Sequence, residues 1–209
     1  MYFHEHYFPD TMGVFNIESD KGLKKMNVMI FTSSPNIDGL TAACANAAKT
    51  GAEEAGAHVI MVNLNQQQIG HCQACGNGWG SCRSEHECQV KDDFQKVHAA
   101  MADIEAFILI TPVYFGEMSE SAKNFTDRLR RCEALKKGKT LFEGKPVIAV
   151  AAAGGSGNGL TSCLTSMERL FTHVRAEKFD FMGITQKNKR YKLDALQEAG
   201  KEMVSKHSL

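Results

Sequence analysis

Residues 26–41 decide the fold, and they read MNVMIFTSSPNIDGLT. The apolar run at residues 27–31 is typical of a buried strand. The hydroxyl-rich segment after it contains Pro35 and Gly39, which interrupt regular structure, and from Leu40 the sequence becomes alanine-rich and helical. Backbone N–H groups at the start of a helix are unpaired, and the helix dipole attracts negative charge there. A strand that ends in a small hydroxylated loop and opens a helix therefore favours an anion site.

Two interpretations of this loop are open on the residues alone. The loop lacks the lysine of a Walker A motif and the G-x-G-x-x-G of a dinucleotide fold. Ser33, Ser34 and Thr41 can instead donate neutral hydrogen bonds to a phosphate. The alternative is an ordinary strand-to-helix turn in which the hydroxyl groups cap the helix.

Composition narrows the class of protein. The 209 residues are enough for one α/β domain with a proper core, and 24 basic residues balance 24 acidic ones. Balanced charge argues against binding to nucleic acid or an anionic membrane by bulk electrostatics. The sequence has no apolar run of membrane-spanning length and no signal-peptide pattern, and its seven cysteines are an odd number. These features predict a cytoplasmic protein with reduced thiols, no nucleic-acid partner and no membrane partner.

Strand and helix patterns alternate strictly along the chain. Strands are predicted at residues 27–31, 58–64, 106–110, 146–153 and 176–184. Helices are predicted at residues 40–55, 91–103, 119–132, 160–174 and 191–204. Because crossovers between parallel strands are right-handed, helices cover both faces of the sheet. The pattern predicts an α/β, three-layer, doubly wound fold with a five-stranded parallel sheet, for which 2-1-3-4-5 is a common strand order.

Three unusual loops follow the first, third and fourth of these strands, at residues 32–41, 112–119 and 154–159. In the order 2-1-3-4-5 these strands are neighbours, so the loops share one edge of the sheet. Such sheets bind ligands outside the carboxyl ends of their strands. The loops at residues 112–119 and 154–159 are placed to contact a flat ligand from either side. The loop at residues 32–41 is placed to bind the phosphate of that ligand. This agreement favours the phosphate interpretation of the first loop.

The same three loops carry a resemblance to a known family. The motifs are Ser33-Ser34-Pro35 with Gly39-Leu40-Thr41, then TPVYFG at residues 111–116, then Gly154-Gly155. From residue 26 onward the chain resembles the flavodoxin-like NAD(P)H-dependent FMN reductases, including the branch called iron–sulfur flavoproteins. The resemblance implies a flavodoxin-like FMN-binding domain at residues 26–209, with its five parallel strands in the order 2-1-3-4-5. Residues 1–25 are then an N-terminal extension, whose aromatic residues suit packing on the body or on a neighbouring subunit.

The resemblance also implies which residues contact FMN. The phosphate loop contributes Ser33, Ser34, Asn36, Gly39, Leu40 and Thr41. The second loop borders the flavin ring with Pro112, Val113, Tyr114, Phe115 and Gly116. Backbone amides of Gly154 and Gly155 serve the pyrimidine end of the ring. Because hydride chemistry belongs to the flavin itself, no catalytic side chain is predicted.

This chain departs from the family pattern in the phosphate loop. The family often has a basic residue where Asn36 or Ile37 stands and an asparagine where Leu40 stands. Asp38 adds a negative charge here, and we expect it to cap the first helix with its carboxylate turned away from the phosphate. Phosphate binding is therefore expected to rest on backbone amides and hydroxyl groups.

A cysteine cluster lies in the long loop at residues 65–90, with the spacing Cys72-x2-Cys75-x6-Cys82-x5-Cys88. Four thiols this close together can hold a [4Fe-4S] cluster or a zinc ion, and the alternative is a loop of free, half-buried thiols. Iron–sulfur flavoproteins carry a tighter cysteine motif in this location. The other three cysteines, Cys44, Cys132 and Cys163, lie on predicted helices and are expected in the core.

The resulting functional prediction is an FMN-dependent oxidoreductase that moves electrons from NAD(P)H or a redox protein to a small acceptor such as a quinone or nitro compound. The alternative is a non-catalytic flavin and iron–sulfur electron carrier that serves a protein partner. The resemblance also implies a homo-oligomer, either a dimer or a tetramer.

Overall fold

The computed structural model of the chain describes residues 25–136 and 140–208. Its strands are β1 Asn27–Thr32, β2 His58–Asn63, β3 Ala106–Tyr114, β4 Glu117–Met118, β5 Pro146–Ala153 and β6 Glu177–Thr185. Its helices are α1 Leu40–Glu54, α2 Cys75–Gly78, α3 Ser81–Ser84, α4 Phe94–Ala100, α5 Glu120–Glu133, α6 Leu160–His173 and α7 Lys189–His207, with a 3-10 turn at Leu64–Gln66. Except for Lys25, the predicted N-terminal arm lies outside the described residues, and its packing stays a prediction.

The five long strands form one parallel sheet in the spatial order β2-β1-β3-β5-β6. This order is the predicted 2-1-3-4-5, since β4 is a short strand that pairs only with β3, in antiparallel orientation. Thr32 at the end of β1 pairs with Ile110 of β3, and Pro112 of β3 pairs with Ala152 of β5. The register therefore brings the carboxyl ends of β1, β3 and β5 to one edge.

Each face of the sheet has its own apolar core. One core joins the sheet to α4, α5 and α6, and the other joins it to α1 and α7. All eight residues of β5 are buried, as expected for a central strand covered on both faces. Cys44, Cys132 and Cys163 are buried as predicted, and burial raises the pKa of Cys44 and Cys163 to about 12.

Helices α1 and α7 approach each other unusually closely. A Cβ atom added to Gly51 would lie 1.8 Å from the carbonyl oxygen of Gln197, and one added to Gly200 would lie 2.7 Å from the carbonyl oxygen of Ala48. Both glycines are required for this backbone contact. Throughout residues 25–136 and 140–208, each helix is too short or too polar to cross a membrane.

The third strand is longer than predicted. It continues past residue 110 to Tyr114 and turns directly into β4, so that Tyr114 pairs with Glu117. Phe115 and Gly116 form the two-residue turn with φ angles of 51° and 86°, as the favoured hairpin turn of this length requires. The predicted loop at residues 112–119 is therefore a hairpin, because Pro112 fits the strand instead of ending it.

The second predicted helix begins later than residue 91. Its first helical residue is Phe94, because the Asp92 carboxylate folds back to accept the backbone N–H of Phe94 at 2.9 Å. The other carboxylate oxygen of Asp92 accepts the backbone N–H of Gly70 at 3.0 Å. Asp92 thus joins the two ends of the cysteine-containing loop and does not lie in the first helical turn.

Candidate functional site

The base of the first loop is tied to the start of α5. Ser33 is fully buried, and its carbonyl oxygen accepts hydrogen bonds from the hydroxyl groups of Ser119 at 3.0 Å and Ser121 at 3.2 Å. Farther along the loop, the backbone N–H of Asn36 donates to the Ser34 hydroxyl at 3.1 Å. Asn36 Oδ1 in turn accepts the backbone N–H of Asp38 at 3.2 Å. These bonds tie the base of the loop to α5 and stabilise its turns.

The loop contains donors that have no partner within the described residues. The Ser33 hydroxyl is buried and has no hydrogen-bond partner within the described residues, which is unusual for a buried polar group. Helix α1 starts after Gly39, whose position provides no side-chain cap for the first helical N–H groups. The predicted cap by Asp38 is therefore wrong, because the chain reaches helical geometry one residue later. An ordinary capped turn does not describe this loop.

The hairpin of β3 and β4 forms the second part of the site. Thr111 Oγ1 accepts the backbone N–H of Ser119 at 3.0 Å, which closes the base of the hairpin. At its tip, Phe115 is fully exposed although its backbone is left-handed. A bulky side chain in this conformation stores strain, and such residues occur most often at functional sites.

The third loop lies directly against the hairpin tip. Ser162 of α6 donates a hydrogen bond to the Gly116 carbonyl oxygen at 2.7 Å. A Cβ atom on Gly159 would lie only 2.6 Å from the Gly116 Cα atom, so the two backbones meet there. At Gly154 and Gly155 an added Cβ would meet nothing within 4 Å, so the backbone is open to the neighbouring cleft.

We refer to residues 32–41, 111–119 and 154–159 together as the loop rim. The hydrogen bond from Ser119 to Ser33 and the close backbone contact between Gly116 and Gly159 connect its three loops, as the strand order predicts. The predicted contact residues nevertheless line two clefts instead of one. A cleft of about 300 Å³ is lined by Ser34, Asn36 and Thr41, and one of about 630 Å³ by Val113, Phe115, Gly116, Gly154 and Gly155.

The remaining predicted contacts, Ser33, Gly39, Leu40, Pro112 and Tyr114, line neither cleft. As far as the chain is described, every residue that lines the two clefts is uncharged. Sequence reasoning missed the connecting hydroxyl groups of Ser119, Ser121 and Ser162. The first two stand in a Ser-x-Ser pattern just after the hairpin, which could have indicated them.

The four cysteines of the long loop line one cavity. Cys72, Cys75, Cys82 and Cys88 are all half-buried and free, and they share this cavity with two arginines of α5, Arg128 and Arg131. We call it the four-cysteine cavity. In the part of the chain that the structure describes, no three histidine, cysteine, aspartate or glutamate side chains are arranged to hold a metal ion. The assignment of these cysteines as metal ligands therefore stays a prediction.

Arg128 closes both ends of the cysteine-containing loop onto α5. Its buried guanidinium donates to the carbonyl oxygens of Gly70 at 3.1 Å and Val90 at 2.8 Å, and to Asp92 Oδ2 at 2.6 Å. Burial opposes its charge, but hydrogen bonds with Asp92 and Cys88 outweigh burial and raise the pKa of Arg128. Burial also acts to raise the pKa of Asp92, yet the bonds from Arg128 and backbone N–H groups hold that pKa below its usual range.

Arg131 lies one helical turn farther along α5. Its guanidinium packs 4.1 Å from the centre of the Trp79 ring, and the exposed Arg83 lies 5.8 Å from the same ring. Both arginines that line the cavity keep a buried donor without a hydrogen-bond partner in the described residues, Nε of Arg128 and Nη2 of Arg131. Sequence reasoning missed them because arginines on a helix are usually solvated. The signal was that Arg128 falls beside Phe125 and Leu129 on the apolar side of α5.

Several known proteins are similar to this chain. An iron–sulfur flavoprotein of Methanocaldococcus jannaschii is 29% identical over 105 residues, which are 50% of this chain and 52% of that protein. A second one from the same organism is 27% identical over 146 residues, covering 70% of this chain and 71% of the relative. The chain spans about half the length of most of the curated relatives it matches.

Solved structures support the fold. The NAD(P)H:quinone oxidoreductase from Methanothermobacter marburgensis superposes with a TM-score of 0.65 at 16% identity, covering 86% of this chain and 98% of that one. This likeness shows a flavodoxin-like fold. The family model described as NADPH-dependent FMN reductase matches residues 26–178, well over half of the chain. The protein therefore belongs to the NADPH-dependent FMN reductase family.

Proposed function

We propose that this protein is an FMN-dependent oxidoreductase that moves electrons from NAD(P)H or a redox protein to a small acceptor such as a quinone or nitro compound. One observation carries the proposal. Three loops meet at the carboxyl edge of β1, β3 and β5 in a chain of the FMN reductase family, and the backbone of the third is open at Gly154 and Gly155. Ligands of doubly wound sheets bind at this edge.

The first loop fits the phosphate group of FMN. The Ser33 hydroxyl is a buried donor without a partner in the described residues, and α1 begins without a side-chain cap. Both features suit an anion at the start of α1. The residues that would hold it, Ser33, Ser34, Asn36, Gly39, Leu40 and Thr41, offer hydroxyl, amide and backbone donors and no positive charge.

The hairpin and the third loop fit the flavin ring. Gly154 and Gly155 have no Cβ atom to hold a flat ring away from their backbone, and Gly116 is fixed by Ser162. Main-chain donors held in this way stabilise developing negative charge better than mobile water does. When bound, FMN would supply both hydride and single-electron chemistry. The exposed rings of Tyr114 and Phe115 would then cover one side of the flavin.

Flavin binding to the purified protein tests this proposal. We expect one FMN per chain and steady oxidation of NAD(P)H with a quinone. The Gly155→Val variant should fold normally, because an added Cβ meets nothing within 4 Å, and should lose most of its FMN affinity because the side chain occupies the cleft. Ala195→Val, on the exposed surface of α7, is the control. Equal FMN binding by the two variants would contradict the proposal.

The second candidate is an electron carrier with flavin and an iron–sulfur cluster. It is favoured by the four thiols around one cavity and by several similar proteins that are named iron–sulfur flavoproteins. Cys72, Cys75, Cys82 and Cys88 would ligate the iron of such a cluster through their thiolates. Their side chains are not arranged to hold a metal ion in the described residues, so binding would require the loop to rearrange. Reduction by a protein partner, without NAD(P)H-dependent turnover of quinones, would identify a carrier.

Two further expectations belong to this proposal. The described cysteines are all free, which suits a reducing cytoplasm. The exposed Tyr114 and Phe115 at the hairpin tip suit a site completed by a second copy of the chain, as a dimer or tetramer. Light scattering on the purified protein would give its subunit number, and a monomer would contradict the second expectation.

A further inference from the structure

The turn between β6 and α7 carries a dense group of positive charges. Residues 185–193 read TQKNKRYKL, with four cations and no carboxylate. We call these four cations the basic cluster: Lys187, Lys189, Arg190 and Lys192. The first three are exposed and the fourth is half-buried, and none of them forms an ion pair or a side-chain hydrogen bond within the described residues. Since the whole chain has balanced charge, this positive excess is a local feature.

Hydrogen bonds hold the basic cluster in a defined position. Asn188 Oδ1 accepts the backbone N–H of Thr185 at 2.7 Å, and the Thr185 hydroxyl accepts the backbone N–H of Lys187 at 3.2 Å. Helix α7 begins directly afterwards, at Lys189. A surface that is ordered before it binds loses less conformational entropy on binding. The backbone of the cluster is therefore prepared for a partner.

The basic cluster also lies beside the proposed flavin cleft. Thr185 pairs with Ala153 at the end of β5, immediately before Gly154 and Gly155. A Cβ atom added to Gly157 would lie 3.1 Å from Thr185 Cγ2, so the third loop of the rim packs against the end of β6. The cluster itself lines neither of the two clefts of the loop rim. Because small ligands bind in concave sites, an exposed cluster outside the clefts suits the surface of a macromolecule better.

The chemistry of the basic cluster indicates a negatively charged protein. Tyr191 stands among the four cations and is 59% exposed. Tyrosine and arginine are enriched among the residues that contribute most to binding between proteins. A symmetric contact with a second copy of this chain would bring like charges together, which is unfavourable. Balanced charge over the whole chain disfavours a nucleic acid.

We propose that the basic cluster docks an acidic electron-carrier protein. This inference rests on the proposed function, in which electrons come from NAD(P)H or a redox protein, and it assigns the surface and the charge by which that protein is recognised. Complementary charge speeds the encounter of two proteins and fixes their relative orientation. A carrier docked on the cluster lies against the third loop, next to the cleft that would hold the flavin ring.

Binding of an acidic probe protein to the full chain tests the proposal. The probe is an oxidised, acidic, plant-type two-iron ferredoxin, and calorimetry at about 0.05 M salt, where charges are weakly screened, gives its dissociation constant. In the double variant Lys189→Gln with Arg190→Gln, we expect this constant to rise about tenfold, because two charges are lost from the contact. Neither side chain has a protein partner in the described residues, so the fold should be unaffected.

The double variant Lys91→Gln with Lys96→Gln is the matched control. It also removes two exposed positive charges, but at α4, which covers the other face of the sheet, so the dissociation constant should not change. Equal dissociation constants in the two double variants would overturn the proposal, and so would wild-type protein that does not bind the ferredoxin.

Two parallel measurements separate this proposal from its alternatives. If Lys189→Gln with Arg190→Gln weakens the binding of NADPH and leaves that of ferredoxin unchanged, the cluster recognises a nucleotide and the proposal is wrong. Flavin content is measured on the same samples. Protein that binds ferredoxin through the cluster but binds no FMN would contradict the proposed function alone, since docking is measured without turnover.

Discussion

The loop rim and the four-cysteine cavity lie on the same sheet and are built in opposite ways. The described residues that line the two clefts with predicted FMN contacts are uncharged, and the first two loops of the rim are joined by a serine hydroxyl group. The cavity is lined by four thiols and two arginines, and the ion pair of buried Arg128 with half-buried Asp92 closes it. The rim suits a ligand that the backbone recognises by shape. The charge in the cavity instead holds the cysteine-containing loop against α5 through Arg128.

The largest effect is expected at the ion pair of the cavity. Arg128→Met leaves Asp92 and two loop carbonyls without their buried partner, so the free energy of unfolding should fall by about 3–5 kcal/mol. Arg130→Met, on the same helix and only partly buried, is the control and should change it by less than about 1 kcal/mol. Urea denaturation measures both. Similar losses in the two variants would show that Arg128 does not hold the loop.

Low pH should destabilise the cysteine-containing loop and leave the loop rim unaffected. The pKa of Asp92 lies below its ordinary value of 3.8, so its contribution to stability is complete above that value and is lost as the pH falls through the folded-state pKa. The loss should loosen the cysteine-containing loop, which carries Trp79, the only tryptophan of the chain. Tryptophan fluorescence should therefore show an acid transition that Asp92→Asn abolishes and Asp127→Asn, on exposed α5 surface, retains. A transition unaffected by Asp92→Asn would contradict this account.

Substitutions of two serines of the loop rim should have different effects on FMN affinity and on stability. Ser33→Ala removes a hydroxyl without a protein partner in the described residues, so stability should be unchanged while the dissociation constant for FMN rises about tenfold. Ser119→Ala removes the bond to the Ser33 carbonyl and should lower the free energy of unfolding by about 1 kcal/mol. Flavin fluorescence and urea denaturation measure the two effects. If both variants change the free energy of unfolding and the dissociation constant for FMN in the same way, the Ser33 hydroxyl is not an anion ligand.

The smallest effect is expected at the hairpin tip. Phe115 is exposed with a φ angle of 51°, so Phe115→Gly removes strain and loses little packing. The free energy of unfolding should rise by about 0.5–1 kcal/mol, while quinone turnover falls if the ring covers the flavin. Thermal unfolding and steady-state kinetics measure the two quantities. Lower stability in the variant would mean that the Phe115 ring makes stabilising contacts.

The loop rim could be predicted from the sequence to a greater extent than the four-cysteine cavity. Strand order and the position of the three loops follow from alternation of apolar runs and helical stripes, which are local signals. The hairpin at Tyr114 was missed because Pro112 usually ends a strand, whereas here it pairs with Ala152 of β5. Arg128 contacts residues that are 36 to 58 positions away in the sequence, and Arg131 packs on Trp79 in a loop that lies against α5. No local sequence pattern indicates contacts between residues so far apart.

We propose that the loop rim binds the phosphate of FMN with neutral donors. Titration of the flavin-free protein with FMN, followed by fluorescence at increasing salt, tests it most directly. The account predicts one FMN per chain, with a dissociation constant that changes less than about threefold between about 0.05 M and 0.5 M salt, because neutral hydrogen bonds are hardly screened. No binding, or an affinity that falls tenfold or more over this range, would contradict it.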